Sequence, residues 1–262
     1  MHLLRATGLK LRRRPATYRT VLVLAGLLAF LYLSIGVTAA AISDPTARAS
    51  LLPLLAFPDA GTGLASILLI FGGIAGAGYA GAVAASEWSW NTFRVALTRG
   101  ESRVRYVVIL FVGIALLVVV AWLLLCVLGT GLVLLGATLG GVPTASPLDP
   151  ASLDRLLAIV VMGSWAVLME VAIGFGVAFA ARSPVAGIAA VAGLYFVEQF
   201  AVLIVPIDVL RFAPITAAGS LVSAAGRTGF DASLAAPLVV TTLYLFLAIA
   251  AAAAVARRAE VS

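Results

Sequence analysis

The sequence is poor in the residues on which most enzymes and metal sites depend. A single cysteine, Cys126, excludes a disulfide framework and a cysteine-ligated zinc site. The single histidine, His2, lies in a basic arm, which removes most chemistry built on a histidine base or histidine-bound metal. Lys10 is the only lysine and no Gly-x-x-x-x-Gly-Lys-Ser/Thr stretch occurs, so the chain cannot cradle ATP by that route. Charged residues make up 11% of the 262 positions, against about 25% in a soluble domain.

Apolar residues fill the space. They account for 63% of the chain, and the mean hydropathy is +1.16. One water-exposed fold cannot bury that much apolar surface, so the sequence is that of an integral membrane protein. Disorder is excluded by the same numbers. A net charge of +6 and a pI near 10.1 are compatible with nucleic acid binding. The basic residues fall beside apolar runs, however, which points to a membrane surface.

A span needs about 20 apolar residues to cross about 30 Å of hydrocarbon. Six stretches qualify: Val21–Ile42, Leu64–Ala85, Tyr106–Ala137, Leu156–Ala181, Val185–Val205 and Leu238–Ala256. Their continuous apolar runs read as helices, because barrel strands alternate polar and apolar residues. Thirteen of the 17 basic residues lie on the side of the chain termini, and only Arg48, Arg155, Arg211 and Arg227 on the other. By the positive-inside rule both termini are cytoplasmic, and six spans satisfy that parity. Thr38-Ala39-Ala40-Ala41 imitates a signal cleavage site, but the preceding apolar run is longer than the 7–15 residues of a signal peptide. An uncleaved first span is expected.

The connections carry most of the information. Residues 1–17 mix leucines with Arg5, Lys10 and Arg12–Arg14, either as an interfacial helix or as a plain basic anchor, and Pro15 breaks or turns the chain there. Residues 86–105 read as a cytoplasmic helix with Trp90, Phe93 and Leu97 on one face. Gly100 suits its left-handed end, and Ser102 suits the cap of the third span. Tryptophan, phenylalanine and arginine together suit a docking element; the alternative is a loop whose tryptophans rest among the headgroups. Arg182-Ser183-Pro184 forms a tight cytoplasmic turn. On the outer side, residues 206–237 are too apolar for a solvated loop and too short to span twice, so short helices or a re-entrant hairpin are expected.

Several intramembrane residues stand out. Gly76-Ala77-Gly78-Tyr79-Ala80-Gly81 matches a dinucleotide fingerprint, but it lies inside a span without the strand such a site requires. Its small residues, with Gly72 and Gly76 in a Gly-x-x-x-Gly, instead predict close helix packing. Glu170 sits near the middle of the fourth span, where an ionised carboxylate costs at least about 2.5 kcal/mol. It is either a polar point on a substrate path or a hydrogen-bonded carboxyl locking a neighbouring helix. Glu198, beside Gln199 and Tyr195, either borders the exit of a path or pairs with Arg211. Gly129-Thr130-Gly131 predicts a hinge or bend in the third span, and Cys126 a small packing residue.

This order of parts resembles the permease subunit of ABC exporters of the second type, the ABC-2 class. The stretch Glu87, Asn91-Thr92, Leu97, Arg99-Gly100 and Ser102-Arg103 is similar to that family's Glu…Gly-Thr…Leu…Arg-Gly…Ser-Arg pattern. Asn91 replaces the usual glycine, and Ile109 stands near the place of a common lysine. The resemblance implies an all-α, six-span permease domain over residues 1–262. It has an amino-terminal interfacial helix, a coupling helix at 86–105 and outer re-entrant helices at 206–237. It also implies a second permease copy, identical or related, in a bacterial or archaeal cytoplasmic membrane. Each copy docks on a separate ABC ATPase that holds the ATP and Mg, so this chain carries no cofactor and binds no nucleic acid. The implied coupling residues are Glu87, Trp88, Trp90, Asn91, Thr92, Phe93, Arg94, Leu97, Arg99 and Arg103, with Glu170 and Glu198 as candidates on a substrate path.

Two other classes are open. A gradient-driven transporter or channel would use Glu170 and Glu198 as proton or cation sites. An intramembrane protease is disfavoured, because His2 lies in the basic arm and every Asp falls in an outer connection.

Overall fold

The structure, a computed structural model, describes Gly8, Leu11 and residues 14–98 and 100–259. The segment expected to lie in the interface, residues 1–17, is therefore mostly outside the described residues, as is Arg99.

The described chain is helical throughout. The elements are α1 (Pro15–Ala41), α2 (Pro45–Leu55), α3 (Asp59–Ser89), α4 (Thr92–Thr98), α5 (Arg103–Leu139), α6 (Pro150–Ala181), α7 (Pro184–Ala201), α8 (Ile207–Leu210), α9 (Pro214–Thr228), a 3₁₀ turn (Ala232–Leu234) and α10 (Ala235–Arg258). Six of these, α1, α3, α5, α6, α7 and α10, are long and apolar enough to cross a membrane. The chain is a multi-pass membrane protein.

Proline punctuates the fold. Pro15, Pro150, Pro184 and Pro214 each stand at the start of a helix, where the missing N–H would have no intrahelical partner. Pro15 begins α1, and the extended Arg14 before it (φ −79°, ψ 122°) turns the chain there, as expected. The short helix α2 is absent from the sequence reading. Its start is fixed by Asp44, whose side chain accepts the Thr46 N–H at 3.0 Å. No break in the helix occurs at Gly129-Thr130-Gly131, since α5 runs unbroken for 37 residues, about 55 Å. Gly129 instead leaves room for the Leu64 side chain of α3.

The centre of the bundle is the α3–α6 pair. Half of the most apolar window of each is buried inside the protein, against 17–33% for the other four spans. Small residues make this approach possible. A Cβ on Gly174 would lie 2.5 Å from the Ala77 Cβ, and one on Gly187 would lie 2.8 Å from the Gly174 oxygen. These contacts bring α3, α6 and α7 together with backbones nearly touching. The packing stripe on α3 is Gly73, Ala77 and Gly81, with Gly76 against Val171. Gly72, predicted to share it, faces open space beside a cleft between α1 and α5. A second close crossing joins α1 to α5, where a Cβ on Gly36 would meet the Gly136 oxygen at 2.5 Å. The fingerprint-like run Gly76–Gly81 lies wholly within α3, so its backbone N–H groups belong to the helix.

Contacts between connections define two ends. At the terminus end, Arg14 donates to Ser86 (2.8 Å), and Arg103 donates to the carbonyls of Arg257 and Ala259 (2.8 and 2.9 Å). At the opposite end, Arg48 donates to the Gly140 carbonyl (2.8 Å), and the Phe57 N–H donates to Thr144 (2.9 Å).

Candidate functional site

Between α3 and α5 the chain makes an elbow at the terminus end. The single helix expected here is divided, because Asn91 takes a left-handed conformation (φ 54°) between Ser89 and Thr92. Asparagine tolerates this region better than most side chains. Gly100 (φ 84°) then ends α4 as expected, its N–H bonding to Leu97 and that of Glu101 to Ala96 in a Schellman arrangement. Ser102 stands at the cap of α5, but its side chain makes no capping bond.

An aromatic box closes the elbow. Phe93 of α4 is 2% exposed, with ring centroids 5.0 Å from Trp88, 5.7 Å from Tyr106 and 5.7 Å from Phe179. Phe175 and Phe111 continue the contact into the bundle. Each such pair adds about 0.5–1.5 kcal/mol beyond area burial. Trp88 Nε1 donates to the Phe179 carbonyl at 3.1 Å, satisfying one of the free acceptors at the end of α6. On the other side of that indole lies the Arg182 guanidinium, 4.3 Å from the ring centroid. Arg182 itself caps α6 in a left-handed conformation (φ 54°). Glu87 is fully buried and accepts the Tyr106 hydroxyl hydrogen bond.

The predicted coupling residues therefore divide. Glu87, Trp88 and Phe93 are folded into this chain's own core, and Arg103 ties α5 to the end of α10. The reading of Trp90, Phe93 and Leu97 as one docking face fails. The break at Asn91 puts Trp90 outside the helix that carries the other two, and Phe93 points inward. Trp90 is 65% exposed with Arg14 over its ring at 5.0 Å, and Arg94 and Val95 are exposed beside it. Leu97 is half-buried against the core, and the Thr92 hydroxyl is buried without a partner among the described residues. Tyr106, Phe179 and Arg182 were not anticipated as members of this site. Arg182 alone carried a signal, as a lone cation in a two-residue turn.

A second polar site lies within the bundle. Glu170 of α6 is fully buried; its Oε1 accepts the Tyr195 hydroxyl of α7 at 2.9 Å, and its Oε2 has no partner among the described residues. Oε2 lies against the Gly73 backbone, in the space a Cβ would take. The glycine of one helix thus makes room for the carboxyl of the next. Glu170 ties α6 to α7 across α3, and it faces protein on every side.

Glu198, 7% exposed near the end of α7, has a different task. It does not pair with Arg211. Its carboxylate accepts the N–H groups of Ile215 (3.0 Å) and Thr216 (2.7 Å) and the Thr216 hydroxyl (2.8 Å). Because Pro214 occupies the first position of α9, these are the first N–H groups that the helix leaves free. A carboxylate there also opposes the positive end of the helix dipole. Arg211 instead lies over Phe212, 4.8 Å from the ring centroid.

The remaining tryptophans bridge helices. Trp122 donates to the Val160 carbonyl at 3.0 Å, and Trp165 to Thr242 at 3.1 Å. Cys126 is buried, as its packing role requires. Among the described residues no group of three or more His, Cys, Asp or Glu side chains could hold a metal ion. Comparison with protein-family models and with curated proteins gives no match.

Proposed function

We propose that this chain is the membrane-spanning permease subunit of an ATP-driven exporter of the ABC-2 type. It works with separate ATPase subunits and with a second permease copy. One observation carries the reading: α4 is a short helix wedged by Phe93 onto the ends of α3, α5 and α6. A load on its exposed side reaches three spans at once through the aromatic box. Such a wedge suits a helix that converts a partner's closure into a shift between two packings of the bundle. In this reading the partner touches Trp90, Arg94 and Val95, while Phe93 and Glu87 transmit rather than dock.

The expected outcome is capture of an ATPase bearing a Walker A sequence when the tagged full chain is purified from its native membrane. Trp90→Asp combined with Arg94→Glu should abolish that capture while the chain elutes as a folded species in detergent. Wild-type preparations free of any such ATPase would remove the proposal.

A second reading has one observation in its favour, the unpartnered oxygen of Glu170. In it the chain is a gradient-driven transporter with a proton site in the bundle. Transport by the purified chain alone in liposomes under an ion gradient would favour it.

A further inference from the structure

At the end away from the chain termini, a cleft of about 400 Å³ opens between α9 and the start of α10. Ser220 and Arg227 of α9 line it, with Ser233 of the 3₁₀ turn, Val240 of α10, and Arg211 and Phe212 from the α8–α9 link. Only four basic residues were assigned to this side, so two of them share one cleft.

Neither guanidinium is neutralised. Among the described residues the side chains of Arg211 and Arg227 donate no hydrogen bond and form no ion pair; the Arg211 guanidinium has only the Phe212 ring. Asp231, next in the chain to the cleft, accepts the Ser233 N–H at 3.3 Å instead. By contrast, Arg48 on the same side is bound to two backbone carbonyls.

The surroundings say which anion can reach the cleft. Leu203, Ile204, Ile207 and Phe212 are 81%, 85%, 64% and 55% exposed. Such an apolar belt places the segment leading into α9 in lipid. The cleft also has depth. Tyr244, nine residues into α10 and so about 13 Å along its axis, donates to the Phe212 carbonyl at 3.1 Å. Arg227 and Ser233 stand near the start of α10, and the Phe212 backbone is tied to the helix further along. Cations beside lipid-facing apolar residues at the edge of a span are how membrane proteins hold phospholipid headgroups. Arginine is the side chain best suited to phosphate oxygens.

We propose that this cleft binds an anionic phospholipid, its phosphate held between Arg211, Arg227 and Ser233, with Val240 and Phe212 against the upper acyl chain. The inference stands apart from the proposed function, since it needs neither an ATPase nor transport.

The test is native mass spectrometry of the full chain in detergent with added phosphatidylglycerol, phosphatidylcholine or inorganic phosphate. At about 1 kcal/mol per arginine, two arginines predict an approximately thirtyfold preference for phosphatidylglycerol over phosphatidylcholine. Arg211→Gln with Arg227→Gln should reduce this to parity, and Arg227→Gln alone should reduce it about fivefold. Arg105→Gln, a cation at the other end, should leave it unchanged. Millimolar inorganic phosphate should not displace the lipid. Equal retention of the two lipids by the wild type would overturn the proposal, as would a preference that survives in the double variant. Displacement by inorganic phosphate would also overturn it, marking a site for free anions. If the double variant does not fold, Arg227→Gln decides, because its exposed side chain supports no other described residue.

Discussion

Two fully buried glutamates each accept a hydrogen bond from a tyrosine hydroxyl, and their surroundings differ. Glu87 sits where α3, α4 and α5 turn, beside an aromatic box, with partners beyond Tyr106. Glu170 sits between Tyr195 and Gly73, with one oxygen orphaned against Gly73. The first site is held by large rings that fill space, the second by the removal of a side chain from the facing helix. A carboxyl can thus be buried in a bundle by enclosure or by vacancy, and the two respond differently to substitution.

The largest effect is expected in the aromatic box. Phe93→Ala empties a buried site and should lower stability by about 3–5 kcal/mol. Trp90→Ala, three residues earlier and exposed, should stay within about 0.5 kcal/mol. Thermal unfolding in detergent, followed by size-exclusion chromatography, measures both. Equal losses would mean that α4 is not wedged by Phe93.

Next comes the vacancy. Gly73→Ala drives a methyl group into the Glu170 carboxyl and should cost about 1–3 kcal/mol by overpacking. Combining it with Glu170→Ala should recover most of that loss, because the colliding group is gone. A double variant no better than Gly73→Ala would show that Glu170 does not occupy the space.

Removing the hydroxyls compares the sites directly. Tyr195→Phe leaves Glu170 with both oxygens unsatisfied and should cost about 2–3 kcal/mol. Tyr106→Phe should cost about 1 kcal/mol, since Glu87 keeps other partners. The reverse order in the same unfolding assay would undo the contrast.

The smallest effect belongs to an exposed carboxylate. The backbone N–H groups of Ala232 and Ser233 hold Asp231 below the usual carboxylate value of 3.8. A depressed folded value means that its contribution is present above the unfolded value and lost as pH falls through the folded one. The pH dependence of wild-type stability below about pH 4 should therefore shrink slightly in Asp231→Asn. An unchanged profile would mean that the cap contributes nothing.

Span number and approximate position were legible because crossing a membrane is a requirement on length and hydropathy, which are local quantities. Gly100 was legible because few residue types tolerate a left-handed backbone, and the turn at Arg182-Ser183-Pro184 because Pro184 suits the start of a helix and not its interior. The elbow was not. Its helix was read as continuous because apolar spacing at 90, 93 and 97 fits one face, and the pattern cannot register a left-handed residue at Asn91. Glu198 was matched to Arg211 by charge, whereas the free N–H groups of α9 are invisible until the helix start is placed beside it. Of the two glycines assigned to the stripe, Gly76 packs against Val171 and Gly72 does not, because several small residues on α3 suit a crossing and only the facing helix selects among them.

The sequence alone determined that the chain is a helical membrane protein, since composition and the length of its apolar runs decide it. Tertiary structure alone decided which face of each span turns inward and which buried carboxyl finds a partner. In a membrane both faces of a helix are apolar, so hydropathy cannot tell lipid from protein, and only close contact between small residues sets the difference.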